Sequence, residues 1–184
     1  MKAIAMVAHP DDCVLFGYYI MQGLGKHLDW HVCYLTHADA DERFTEMKTF
    51  WEKRNVTIST LGFQYEWDDV VNNEIKFDTA EAIKKIVEAV SGYDLVFTHN
   101  HLGDYGHIHH LFLYNAIKDL PIAKVYTGIY PDLYNINYLY DANPFSSDEL
   151  PLHKGVIDNW DIKSYKYFVT PEAQELFPDF TPDK

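Results

Sequence analysis

Apolar residues run without interruption through residues 2 to 8 (KAIAMVA), a stretch of strand length with no polar alternation, which predicts a strand covered on both faces. The polar group His9-Pro10-Asp11-Asp12 ends that run. Beyond it, residues 13 to 27 (CVLFGYYIMQGLGKH) read as a buried helix and residues 30 to 36 (WHVCYLT) as a second strand. Phe44, Met47, Phe50 and Trp51 then fall at helical spacing within residues 41 to 59, and FQYEW at 63 to 67 is a candidate short strand. Residues 79 to 90 (TAEAIKKIVEAV) give an amphipathic helix, 94 to 99 (DLVFTH) a strand, 107 to 118 (HIHHLFLYNAIK) a helix and 123 to 129 (AKVYTGI) another strand. Strands alternating with helices predict a three-layer α/β/α sandwich built on a mainly parallel, Rossmann-like sheet.

The pattern changes after residue 130. Residues 131 to 154 are rich in Tyr, Asn and Pro, with turn signals at Asn143-Pro144 and Ser146-Ser147, and read as an irregular segment over the rim of the sheet. A helix is expected near residues 158 to 168. A chain of 184 residues is large enough for one apolar core, so the expected organisation is a single domain over 1–184, with 131–184 an irregular and helical C-terminal extension.

Charge and cysteine usage narrow the function classes. A formal charge of −13 opposes a phosphate backbone, so nucleic acid is not an expected partner. Cys13 and Cys33 each sit inside an apolar run, where a free thiol packs as a small hydrophobe; this points to a reducing compartment, the cytoplasm. His9, Asp11 and Asp12 interrupt the first apolar run before it reaches the length of a signal-peptide core or membrane span. The oligomeric state is left open by the sequence.

Two loops concentrate histidine and aspartate. AHPDD follows the first predicted strand, and HLGDYGHIHH follows the strand at 94 to 99. Ligands of doubly wound sheets bind beyond the carboxyl ends of strands, so adjacency of these two strands would bring His9, Asp11 and Asp12 together with His107, His109 and His110. A hydrolytic metal site needs three protein ligands and an open position for water, and imidazole plus carboxylate suits zinc. Neighbouring carboxylates point in different directions, so one of Asp11 and Asp12 can bind metal while the other takes a proton from water. His107 and His110 share a helix face, and there too one can bind metal while the other reaches a substrate carbonyl.

Ala8-His9-Pro10-Asp11-Asp12 and Gly106-His107-x-x-His110 resemble the two signature motifs of the PIG-L/LmbE-like deacetylases, zinc enzymes that deacylate N-acetylglucosaminyl compounds, and the order of elements is similar over roughly residues 1 to 130. The resemblance implies Zn2+ bound by His9, Asp12 and His110, Asp11 as general base, and His107 polarising the carbonyl or donating a proton. It also implies a role for Tyr105 at the oxyanion. The expected activity is removal of an acetyl or other acyl group from an N-acylated amino sugar or related small amide, with zinc lowering the pKa of its water to roughly 7.

The chain departs from the family pattern at three places. Cys13 stands where a Glu often follows the paired aspartates, His109 stands where Asp often precedes the last His, and Thr36-His37-Ala38-Asp39 differs from the usual Gly- and Glu-containing loop. His109, between two functional candidates, is expected to point elsewhere on its helix. His99 is expected to support the site, and His27, His31, His37 and His153 to be surface or packing residues. Tyr134, Tyr138 and Tyr140 are aromatic candidates for stacking on a sugar or for packing. Two other functions fit parts of the pattern: a non-haem Fe(II) oxygenase with a His/Asp/His triad, and a catalytically inactive metal-containing sugar-binding module.

Overall fold

In the computed structural model, which describes residues 1–24, 28–65, 71–128, 137–138, 145–159 and 165–177, the first apolar run forms strand β1 (Lys2–Val7). It lies between two parallel neighbours, β2 (Asp29–Thr36) and β4 (Leu95–Thr98). The absence of polar alternation has a direct cause. Ala3, Ala5 and Val7 point into one core with Val32, Tyr34, Leu95 and Phe97, while Ile4, Met6 and Ala8 point into a second with Cys33, Leu35 and Val96. The first core is closed by α1 (Tyr18–Leu24) and α2 (Glu42–Glu52), the second by α3 (Thr79–Val90) and α4 (Ile108–Ile117). This is the expected three-layer α/β/α sandwich.

With β3 (Thr57–Phe63), β5 (Ala123–Gly128), β6 (Asn137–Tyr138) and β7 (Tyr165–Val169), the sheet runs β3-β2-β1-β4-β5-β7-β6. The first five of these strands pair in parallel, whereas β7 is antiparallel to β5 and β6 antiparallel to β7. Chain order reverses direction between β1 and β4, which makes the crevice beyond their carboxyl ends the topological switch point.

Two expectations are corrected. The helical pattern read over 41 to 59 ends at Glu52, and TISTLGF at Thr57–Phe63 is a strand that ends where the expected one at 63 to 67 begins; residues 64 and 65 are not strand, and 66 and 67 lie outside the described residues. Asp41 caps the helix start by accepting from the Arg43 N–H, and Asn55 stops it by adopting φ +58. The Asn55 N–H donates to Glu52 O at 3.1 Å and the Val56 N–H to Trp51 O at 3.1 Å, a paired closure that turns the chain into β3. The second correction is in the C-terminal extension, where a helix is expected near 158 to 168: α5 spans Lys154–Asn159, residues 160 to 164 lie outside the described residues, and residues 165 to 169 are β7, not helix. Tyr167 there is fully buried and Phe168 is exposed, a period-2 pattern supported by pairing with β5. The Tyr167 hydroxyl donates to Phe16 O at 2.8 Å, which anchors the added strand beneath the first His/Asp loop. A last helix, α6 (Pro171–Leu176), follows. His27, Tyr134 and Tyr140 lie outside the described residues. No helix among the described residues is long and apolar enough to cross a membrane.

Candidate metal centre

Both His/Asp loops emerge at the switch point. After β1, residues 9 to 12 form a tight turn closed by the side chain of Asp12, whose Oδ2 accepts from the His9 backbone N–H at 2.7 Å. Asp12 occupies the N-cap position of the next helical stretch but makes no side-chain capping bond; its carboxylate turns back into the loop. That stretch, Cys13–Gly17, is π-helical, a distortion frequent beside functional sites. Cys13 is fully buried in the core, with Sγ 3.4 Å from Met21 Sδ and its thiol pKa pushed up by burial, so it packs as a hydrophobe.

After β4 the chain reaches His99 and Asn100, whose side-chain Oδ1 accepts from the Leu102 and Asp104 N–H groups at 2.8 and 3.1 Å. The kinked turn Gly103–Gly106 follows, with Asp104 at φ 63, ψ −73, a strained conformation for a residue with a side chain. The strain aims the fully buried Asp104 carboxylate inward. Gly103, at φ +62, packs so closely on α4 that an added Cβ would meet Leu111 Cγ at 2.7 Å. Gly103→Ala is therefore expected to destabilise the fold by about 1–3 kcal/mol, read as a lower denaturant midpoint at constant slope.

The two loops bring three donor atoms together. His9 Nδ1 is 3.1 Å from Asp12 Oδ2, and His110 Nε2 is 3.3 Å from both Asp12 Oδ2 and His9 Nδ1. An ion with tetrahedral bonds of roughly 2.0–2.1 Å separates its ligand atoms by about 3.3 Å, so this triangle has the dimensions of one face of a zinc site. All three residues are buried. On its other edge the His110 ring is held at Nδ1 by Asp104 Oδ2 at 2.7 Å, which places the ring proton there and leaves Nε2 free to bind a metal. The same Asp104 oxygen accepts from His99 Nδ1, and Asp104 Oδ1 accepts from the Thr127 hydroxyl. His99 itself is oriented by the Ala8 N–H, which donates to its Nε2 at 3.1 Å, and its ring stacks on His110 at a centroid distance of 3.7 Å.

The electrostatics follow from this contact pattern. Burial alone disfavours charge on His110, yet the Asp12 and Asp104 carboxylates outweigh it and raise its pKa to about 10. Burial also opposes ionisation of Asp12 and Asp104, but their histidine partners hold both well below the usual carboxylate range. His9 and His107 are pushed down by burial, and His109 is lowered by the same cause to about 3.

Asp11 stands apart from the triangle. It is less buried than Asp12, and its Oδ1 pairs with Arg43 Nη2 at 3.0 Å. Arg43 Nε also donates to His153 Nε2 at 3.2 Å, and His153 Nδ1 meets Glu46 Oε2 at 2.5 Å. His107 caps α4 by accepting the His109 N–H on its Nδ1 at 3.2 Å, which leaves the proton of a neutral ring on Nε2. Its ring stacks on His110 at 4.6 Å, and Tyr105, 57% exposed, lies edge-on to His110 at 5.4 Å.

His9, Asp11, Asp12, Tyr105, His107 and His110 are thus in or beside one cluster, and His109, His37 and His153 adjoin it as well. His109 does not point elsewhere: it is fully buried, with Nδ1 3.2 Å from His9 Nε2. His37, expected at the surface or in packing, stacks on Tyr65 at 5.3 Å, and Tyr65 lies 4.9 Å from the His9 ring. His153, in the same expectation, reaches the site through Arg43. Asp104, Arg43 and Thr127 carried no sequence expectation. Only Asp104 had a visible signal, an acidic residue between glycines in the second His-rich loop. A cavity of about 680 Å³, lined by Lys2, Asp29, His31, Arg54 and Tyr93 among others, opens at the opposite ends of the strands. None of the clustered groups lines it, so the chemistry is assigned to the His-rich end.

Residues 4–120 match the family model PIG-L, described as GlcNAc-PI de-N-acetylase. No curated protein matches. Among solved structures, a conserved protein from Thermus thermophilus is similar at a TM-score of 0.61 and 16% identity over 92% of this chain and 94% of that one. The zinc-inhibited form of the teicoplanin deacetylase Orf2 is similar at 0.56 and 12% identity, over 93% and 99% of the respective chains. GalB, the 4-carboxy-2-hydroxymuconate hydratase from Pseudomonas putida, is similar at 0.51 and 12% identity over 68% and 65%. At these identities the likeness speaks for the fold, whereas the family match spans more than half of the chain and contains both His/Asp loops: the chain belongs to the PIG-L family.

Proposed function

We propose that this protein is a zinc-dependent N-deacetylase acting on an N-acylated amino sugar or a related small amide, with His9, Asp12 and His110 as metal ligands, Asp11 as general base and His107 and Tyr105 at the reacting carbonyl. Membership in a de-N-acetylase family supports a metal-dependent deacetylase. The observation that carries the finer reading is the buried triangle of His9 Nδ1, Asp12 Oδ2 and His110 Nε2 at zinc-ligand spacing, with a second carboxylate on the adjacent residue, Asp11, outside it and paired with Arg43.

When bound there, a zinc ion supplies a Lewis acid that polarises the scissile carbonyl and lowers the pKa of water to roughly 7. Asp11 accepts the water proton. Its Oδ1 is held by Arg43, so Oδ2 is the oxygen that receives the proton. His107, whose neutral ring carries its proton at Nε2, donates a hydrogen bond to the carbonyl oxygen, and the proton taken up by Asp11 passes to the departing amine. The Tyr105 hydroxyl adds a donor to the oxyanion, a contribution typically of about 3–4 kcal/mol when well aligned. His99, Asp104 and Thr127 fix the orientation of His110 and exclude water behind it.

The partly exposed rings of Tyr105 and Tyr65 give a small organic substrate apolar faces to rest on. An acidic protein of formal charge −13 favours a neutral substrate, or an anionic one held by the metal and local donors. Cys13 and Cys33 are buried free thiols, which suits a cytoplasmic setting. GalB is a hydratase on a similar fold, so the fold alone does not set the reaction. An iron oxygenase triad belongs on an all-β barrel, unlike the present sheet, and Asp11 and His107 in position speak against an inactive binding module.

The test is a panel of N-acetylated amino sugars assayed for released amine, with metal content measured on the same sample. Amine release dependent on bound zinc is expected. Equal turnover of acetyl-lysine peptides would remove the case for a sugar site, and iron with oxygen consumption would overturn the hydrolytic reading.

A further inference from the structure

The zinc triangle uses one edge of the His9 ring. Nδ1 faces Asp12 and His110, while Nε2 faces the other way, 3.2 Å from His109 Nδ1. His107 completes a second group there: its ring centroid is 4.5 Å from that of His9 and 5.3 Å from that of His109. One donor atom from each of these three buried histidines lies within 4.8 Å of the other two.

We propose that His9 Nε2, His107 and His109 form a second divalent-cation site, selective for zinc and similar late first-row ions, whose occupancy inhibits the enzyme. This rests on the reading above that His9, Asp12 and His110 hold the first ion. Three imidazoles are borderline donors that suit zinc, nickel and copper, and they offer little to magnesium or calcium, which prefer oxygen. The 3.2 Å gap between His9 Nε2 and His109 Nδ1 is already a tetrahedral edge. No carboxylate belongs to the second group, whereas the first contains Asp12 and is supported by Asp104, so the second ion binds more weakly. With both ions bound, His9 bridges them as imidazolate, its second ring proton released to solvent. Inhibition follows because an ion bound through His107 removes the nitrogen that donates to the substrate carbonyl.

The alternative use of the same contact is a plain hydrogen bond, in which His9 Nε2–H donates to His109 Nδ1 and merely steadies the first site. Equilibrium dialysis of the intact protein against zinc, with elemental analysis, separates the two. Two equivalents are expected, the second about tenfold or more weaker, with amine release falling about tenfold or more as it fills. His109→Asn should keep the tight equivalent and lose the weak one. His110→Ala should lose the tight one. Cobalt(II) in place of zinc gives a check independent of turnover, because the second equivalent should add its own visible absorption bands in the wild type and not in His109→Asn. Saturation at one tight equivalent up to millimolar zinc, or a weak equivalent undiminished in His109→Asn, overturns the second site while leaving the first intact. Absence of any tight equivalent in the wild type overturns the first assignment, and the second with it.

Discussion

Asp12→Asn is expected to leave the protein without metal and without activity, whereas Asp11→Asn keeps its metal and loses rate. The two residues are adjacent, so sequence position alone offers no reason for them to differ. The difference lies in where each carboxylate points. Asp12 Oδ2 lies 3.1 Å from His9 Nδ1 and 3.3 Å from His110 Nε2, inside the triangle that we assign to zinc. An amide there is a neutral, weak ligand, and affinity should fall by more than the 10–100-fold (roughly) that is typical for loss of a group merely supporting a ligand. Asp11 is held outside the triangle by Arg43 at 3.0 Å, and an amide there cannot take a proton. Its loss should cost roughly 10²–10⁴ in kcat. Metal content after exhaustive dialysis, measured beside kcat, distinguishes the two. Full metal occupancy in both variants would show that Asp12 is not a ligand.

Asp104→Asn should weaken zinc binding by about 10–100-fold although Asp104 is not proposed to touch the ion. Its carboxylate gathers three donors, His99 Nδ1–H, His110 Nδ1–H and the Thr127 hydroxyl. Both imidazoles share Oδ2, and an amide supplies only one strong acceptor for the set. Loss of the charge also removes one of the two carboxylates that raise the His110 pKa to about 10 and make that ring a strong base toward metal. The buried hydrogen bonds to a charged acceptor should be missed in the fold as well, at about 1.5–3 kcal/mol. Chelator competition measures the metal effect and a denaturant midpoint the stability effect. If the midpoint falls while metal affinity is unchanged, Asp104 serves the core and not the centre.

Much of this molecule was legible in its sequence, and the reasons are local. The run KAIAMVA states that β1 is covered on both faces, because a strand with one wet face must alternate. The spacing of Phe44, Met47, Phe50 and Trp51 marks a helix, and the two His/Asp loops at strand ends announce a metal-capable site. Other features depend on contacts that no local pattern encodes. The end of α2 is set by the left-handed Asn55, and β7 is a strand because β5 offers it a free edge. His109 sits between two functional histidines in sequence, yet the strained turn at Asp104 and the His107 cap rotate α4 so that His109 reaches His9, one hundred residues earlier in the chain. The pairing of Asp11 with Arg43 likewise needs the segments after β1 and β2 to be assembled, and that of His110 with His9 and Asp12 those after β1 and β4. The sequence determined which residues are chemically able to hold a metal and move a proton, because that is a property of side-chain type. Only the tertiary structure decided which nitrogen or oxygen of each faces which neighbour, because ring orientation and carboxylate direction are fixed jointly by hydrogen bonds within each folded loop and by bonds between elements far apart in the chain.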